Sequence, residues 1–551
     1  MPNDLRRQRL WAILLALIVV AVYARTLLGQ FVWDDEWFVV GNIHVRAWRY
    51  VPRLFLESVT SGAGEPSNFY RPLQSLTHAI DIQLWTDSPR GHHFTNVLLQ
   101  AAAAVAVFLW LAELAPLEGA LAGAALWALH PLQVEAVAYI SGRGDILGVL
   151  FLCLALRFSG TRPFLTFCGV ALALLSKESV VTFPALLWLH DRALGRPFSW
   201  KRYVPTAALS GVYVVLRLTV LNFKNTADFS TGPNILSHHL LYRLFTYLTT
   251  LPEGLRIWLW PNDLHHERQW FAYIHFTEPR VLAGTLFVVA WLGASALLWN
   301  LQRRIAVGLL WFVVATFPTS NLVVVINALF FDHWFLLPGL GLALMISQVP
   351  FFAGPTRVLT LTTVALLCGS AALFEQQLID VWHDSITFNA KLLEYSPRNT
   401  RVIHNLAAAL ADRSEPGDLA QSIALYRQAI SIGDEAGFHN NLALALEKSG
   451  DLAGAEREHR RAVEMDPNLA KAWMTLGLFE SDHGRFAEAR KAFDHALSLI
   501  PKSAELYLSL AQLSLNENDS AGAIAQLVRG LGVVDDPRLH EALTTIQNAH
   551  R

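Results

Sequence analysis

Residues 10–28, LWAILLALIVVAVYARTLL, carry one charge, Arg25, in nineteen positions. A helix rises about 1.5 Å per residue, so this run matches the ~30 Å of a bilayer's hydrocarbon core. Arg6, Arg7 and Arg9 precede it, and no small-x-small cleavage site follows. That pattern predicts an uncleaved anchor with its N-terminus in the cytoplasm. Working outward, apolar runs continue to about residue 375, whereas charge spreads evenly through 390–551. Over 551 residues, 53% are hydrophobic and only 16% charged, against about 25% charged in soluble chains. Mean hydropathy is +0.34. These values exclude a disordered, collagen-like or disulfide-scaffold chain and predict a polytopic membrane protein with a water-soluble tail. A net charge of −2 offers no basic face for nucleic acid. Cys153, Cys168 and Cys368 all lie in apolar runs, with no CxxC or Cys/His pair to suggest zinc or disulfides.

Ten further spans follow the first, at about 93–113, 118–137, 144–158, 161–176, 178–191, 203–222, 280–299, 304–320, 328–348 and 355–375. Arg157, Arg162, Arg192, Arg196, Lys201, Arg202, Arg303, Arg304 and Arg357 then all fall on the cytoplasmic side, as positive-inside asymmetry demands. Residues 239–260 are apolar but broken by Arg243, Glu253 and Arg256, and read as an amphipathic helix at the interface. Eleven crossings put the tail opposite the N-terminus, outside the cytoplasm. They also leave two large outer loops, 30–91 and 223–279. The first is aromatic and charged, and too long for a mere connector.

The tail has a 34-residue period. Trp473, Leu476, Gly477, Ala489, Phe493, Ala496 and Pro501 form one unit. His439, Leu442, Ala443, Ala455, His459, Ala462 and Pro467 precede them in register, and Tyr507, Leu510, Ala511, Ala523, Leu527 and Gly530 follow. Leu406, Ala407, Tyr426 and Ala429 mark a degenerate first unit. This is the tetratricopeptide pattern, in which large and small residues interlock paired helices. About four repeats and a terminal helix give the expected domains: 1–380 in the membrane and 381–551 as an all-α solenoid, which suits peptide or protein binding.

Candidate chemistry gathers at outer ends. Asp34, Asp35 and Glu36 follow the first span, where a carboxylate can serve as general base or hold an acceptor hydroxyl. The plainer reading is a helix cap with solvated acids. His130 and Glu135, Arg143 and Asp145, Lys177 and Glu178, then Asp332 and His333, occupy other outer turns. Singly each is an ordinary satisfied polar residue; a ring of them on one membrane face is not ordinary. Arg and Lys there suit a lipid phosphate. The polar residues lie near one face and not at the midplane, which argues against a transporter.

The segments FVWDDEW (31–37), FYRPL (69–73), FTNVLLQ (94–100), ALHPLQVEAVAYISGRGDIL (128–147) and LSKES (175–179) carry a resemblance. So do YLTTLPEGLRIWLWPNDL (247–264), FPTSNLVVV (317–325) and DHWFLLPGLGLAL (332–344). Together with the repeats, they resemble the GT-C integral-membrane glycosyltransferases, in particular the transmembrane and tetratricopeptide repeat O-mannosyltransferases. The resemblance implies sugar transfer from a polyprenyl-phosphate carrier to a hydroxyl acceptor, commonly Ser or Thr of a protein, on the extracytoplasmic face. It implies Asp34 and Asp35 as catalytic pair, with Glu36 a contender because related transferases use an Asp-Glu pair. Arg71, Arg143 and Lys177 become candidates for phosphate recognition, and His130, Glu135, Asp332 and His333 for shaping the pocket. Relatives often have an acid followed by Arg where this chain has Asp332-His333. The scattered acids form no recognisable metal set, and no metal or other cofactor is expected. The expected location is a bacterial inner membrane with periplasmic repeats, or the endoplasmic reticulum in a eukaryote. Two rivals remain at this point: the same fold acting on a glycolipid or envelope polysaccharide, and a non-catalytic membrane-anchored scaffold.

Overall fold

A computed structural model describes residues 2–65, 67–221, 236, 239–266, 268–326, 328–349 and 356–549. Most of the segment 223–238, within the second expected outer loop, lies outside the described residues. The fold is all-helical, with no strand among the described residues. The chain divides into two compact units, 1–388 and 389–551.

Among the described residues of the first unit, four helices are long and apolar enough to cross a membrane: Asp4–Leu28, Pro89–Leu111, Pro279–Leu298 and Arg357–Val381. Pro89–Leu111 is the central one, packed against the first helix and against Leu117–Ala128 and Arg143–Phe158. The other three turn large apolar side chains outward, among them Leu14, Leu17, Leu286, Val289, Leu359 and Leu366. Several of the eleven expected spans are shorter or broken. The run 118–137 stops at Ala128 and resumes as Gln133–Ala138, because His130-Pro131 removes an amide from the ladder. The run 178–191 opens as a tight turn, Glu178–Thr182, before Phe183–Ala193. The run 328–348 begins with the turn Asp332–Phe335 and becomes helix at Leu336–Ser347. Proline opens the helices at 72, 89, 163 and 279, where its missing N–H costs nothing.

The first and last long helices run parallel. At one end, Arg7 and Arg357 both pair with Glu118, at 2.9 and 2.6 Å. At the other, Arg25 pairs with Asp380 at 2.8 Å. The segment beyond it stays at that end, since Gln30 N–H donates to the His383 carbonyl at 2.7 Å.

The second unit stacks antiparallel helix pairs: Thr400–Arg413 with Asp418–Ile432, Ala436–Ser449 with Leu452–Met465, Ala470–Asp482 with Phe486–Leu499, and Ala504–Asn516 with Ser520–Leu531. The helix Pro537–Ala549 closes the array. The periodic small residues Ala443, Ala455, Ala462, Ala489, Ala496, Ala511 and Ala523 are all buried. Gly477 is needed for close approach: a methyl group there would stand 2.7 Å from the Phe493 ring.

Candidate functional site

One turn, YISGRGD (139–145), organises the polar residues of the first unit. Its alternate side chains each hold a different partner. The Tyr139 phenol hydrogen-bonds the Asp34 carboxylate. Ser141 donates from N–H and Oγ to Asp35 Oδ1, at 2.8 and 2.6 Å. Arg143 pairs with Asp81 at 2.6 Å. Asp145 pairs with Lys177 Nζ at 2.8 Å. Gln74 fixes the turn from behind, donating to the Ser141 carbonyl at 2.7 Å.

The three consecutive acids end in three environments. Asp35 is fully buried, and its Oδ2 accepts a third bond, from Val32 N–H at 3.0 Å. Burial pushes its carboxyl up to about 7, against hydrogen bonds that favour the charged form. Asp34 is half-buried, and Glu36 is exposed at the start of the helical turn Glu36–Val40. Trp33, just before them, has φ of 61°, a left-handed conformation that costs a bulky residue energy. That turn sets its indole edge-on to His266, with ring centroids 5.3 Å apart.

Beside Trp33 lies a second group. Glu135 Oε1 meets Nδ1 of His266 at 2.7 Å and Nδ1 of His333 at 2.6 Å. Tyr139, Phe331, Trp382 and Phe388 wall His266, with ring centroids 5.3–6.0 Å away. Asp332 belongs to a neighbouring network: Arg268 Nε and Nη2 donate to it at 3.0 and 3.2 Å, and His265 N–H at 3.0 Å.

Arg71 and Glu178 form a bidentate pair at 2.9 and 2.5 Å. The guanidinium lies 4.6 Å from the centre of the Phe69 ring. Phe69 packs with Phe31 on the apolar cluster that contains Ile140, so this pair adjoins the acid turn. Arg143 is closed off: fully buried, it also donates to Asn96 Oδ1 at 2.6 Å and to the His92 carbonyl at 3.1 Å. His130 is committed too. It stacks on Trp258 at 4.0 Å, accepts from Leu132 N–H on Nδ1, and meets the Trp258 carbonyl through Nε2 at 2.9 Å. Accepting at Nδ1 places the proton on Nε2, so this imidazole is neutral.

Thus Asp34 and Asp35 share one turn with Arg143 and Asp145, while Glu135 and His333 meet one residue away across Trp33 and Tyr139. Sequence reading missed His266, Arg268, Tyr139 and Ser141 as participants. The dipeptide His265-His266 in the segment 223–279 was a legible signal; Tyr139 and Ser141 lay inside a recognised motif whose charged members alone drew attention.

A tetratricopeptide repeat model matches residues 481–546. Over most of its length the chain is similar to proteins named O-mannosyl-transferases. TMTC3 of Mus musculus is 21% identical over 584 residues, covering 92% of this chain and 62% of that protein. Tmtc1 of Drosophila melanogaster is 28% identical over 287 residues, 45% of this chain and 33% of its own length. TMTC1 of Homo sapiens is 34% identical over 151 residues, 26% and 17% respectively. The chain therefore spans 62% or less of the length of these relatives.

Proposed function

We propose that this chain is a membrane glycosyltransferase. It moves a sugar, mannose by the names of its relatives, from a polyprenyl-phosphate carrier to a Ser or Thr hydroxyl of a protein. The observation that carries the reading is the division of labour in the acid pair. Asp35, closed on all sides, holds the turn; Asp34, half-buried and hydrogen-bonded to Tyr139, is the more accessible of the two. Asp34 is the general base and Asp35 a positioning residue. Glu36, exposed beside them, adds negative charge at the entrance.

In the reaction, the acceptor hydroxyl oxygen attacks the anomeric carbon while its proton passes to Asp34. The bond from that carbon to the carrier's phosphate oxygen breaks, and the phosphate leaves as an anion. One displacement inverts the anomeric configuration. The leaving group is already anionic, so it needs cations more than a proton. Arg71 with Glu178, and Lys177 with Asp145, supply charge-assisted donors beside the turn. Arg143, His130 and Asp332 position elements instead of touching substrate.

The membrane reading keeps eleven crossings, with the shorter apolar helices Leu117–Ala128, Pro163–Leu174 and Asp332–Ser347 counted among them. Short and interrupted helices are tolerated inside a bundle where neighbouring helices satisfy the freed backbone. The parallel course of the first and last long helices supports an odd number of crossings, with residues 382–388 on the face of the acid turn. That face is periplasmic in a bacterium, or lumenal in an endoplasmic reticulum. The repeats in 389–551 hold the acceptor protein.

The test is transfer of radiolabel from polyprenyl-phosphate mannose by purified protein in lipid, with a periplasmic extract as acceptor. Label should enter protein, and Asp34→Asn should lower the rate at least about a hundredfold without loss of fold. Label in lipid would replace the acceptor class. No label from several donor sugars, with Asp34→Asn indistinguishable from wild type in cells, would leave the scaffold.

A further inference from the structure

Three ligand atoms converge where the functional reading needs none: Glu135 Oε1 and Nδ1 of His266 and His333, all within 4.8 Å of one another. They come from three separate segments: the helix Gln133–Ala138, the outer segment after Leu259, and the turn Asp332–Phe335. Both imidazoles present the same nitrogen to the same point. Their rings are near parallel, 17° apart, with centroids separated by 6.2 Å. Glu135 and His266 are 9% and 8% exposed, and aromatic rings surround His266, so the group is held in place and shielded from water.

We propose that Glu135, His266 and His333 form a binding site for a divalent transition-metal ion of the zinc or manganese class. Two imidazoles and one carboxylate are the ligand types such ions take, and three protein ligands leave at least one coordination position for water or an anionic oxygen. Metal–ligand bonds of about 2.0–2.1 Å in tetrahedral geometry separate ligand atoms by about 3.3 Å. The observed 2.6 and 2.7 Å therefore widen by roughly 0.6 Å, a change that small side-chain rotations supply. In the absence of metal, the same atoms are joined by hydrogen bonds, which keeps the carboxylate satisfied.

A second convergence, His78, Asp81 and His92, is a poorer candidate. The Arg143 guanidinium sits 2.6 Å from Asp81 and already supplies the positive charge there. A dication beside it would be repelled. Among the described residues no such cation pairs with Glu135, whose partners are the two histidines.

The open position would lie next to Trp33 and Tyr139, and so beside Asp34. Metal binding there does not depend on sugar transfer, and its test reads the metal itself. Full-length protein is purified through a histidine-free tag, stripped with a chelator and titrated with Co²⁺ alone. Wild type should take up one ion per chain and develop the visible absorption of cobalt in low coordination. His266→Ala and His333→Ala should each weaken binding at least about tenfold, while His78→Ala leaves it unchanged. If wild type takes up no Co²⁺, the proposal fails whatever the variants do. If binding is lost in His78→Ala and kept in the other two, the ion belongs to the Asp81 cluster and the proposal is equally overturned.

Discussion

At Asp35, burial and hydrogen bonding pull in opposite directions. Removal from water raises its pKa to about 7, while Ser141 and Val32 donate three bonds that favour the anion. An unfolded aspartate ionises near 4, so between about pH 4 and 7 the folded chain holds a proton that the unfolded chain has lost. Stability from this residue is therefore greatest below pH 4 and declines as pH rises to about 7, at up to about 1.4 kcal/mol per unit. Thermal unfolding in detergent across pH 4–8 should show that decline, and Asp35→Asn should remove it. A second residue-scale expectation concerns Arg143. Replacing it with Met leaves Asp81 buried without its main countercharge and should cost about 3–5 kcal/mol, read in the same unfolding experiment. Which acid is enclosed was not legible in FVWDDEW itself. Ser141, the residue that encloses Asp35, is 106 positions away, and local spacing carries no trace of such a contact.

Between elements, glycine decides how closely helices meet. Gly308 of Arg303–Thr316 and Gly341 of Leu336–Ser347 face each other, and a methyl group on Gly308 would stand 2.6 Å from the Gly341 carbonyl oxygen. Small residues at such crossings replace the hydrophobic drive that lipid removes. Gly341→Leu should separate the two helices and cost about 1–3 kcal/mol by overpacking, seen as a lower midpoint of thermal unfolding in detergent. The repeat helices were readable from sequence because their packing is local and periodic. Ala455, Ala489 and Ala523 recur at 34-residue spacing, and each is fully buried. In the membrane half, hydropathy marks apolar content but not continuity. The run 118–137 is mostly apolar, yet His130 turns its ring onto Trp258, and the chain breaks there. The partner that makes this favourable lies 128 residues away.

At the scale of the whole chain, three ion pairs bear on topology more directly than any count of spans. Glu118 gathers Arg7 and Arg357 at one end of the bundle, and Arg25 meets Asp380 at the other. Two parallel membrane helices require an odd number of crossings from the first through the last. In the proposed topology the chain then leaves Val381 on the side opposite its N-terminus. Counting Leu240–Leu259 as a crossing, or dropping any single short helix, makes the number even and breaks this agreement. The ion pairs bear on parity alone: they agree with the proposed eleven crossings and with any other odd number. Reporter fusions test the point in a bacterial host. Alkaline phosphatase joined after Phe388 should be active, and a green fluorescent protein at the same place dark. After Leu301, between Pro279–Leu298 and Arg303–Thr316, the two reporters should exchange behaviour. Active phosphatase at both positions, or fluorescence at both, would mean that one of the short helices does not cross. The acid turn and the chain beyond Val381 would then have to be assigned to sides afresh.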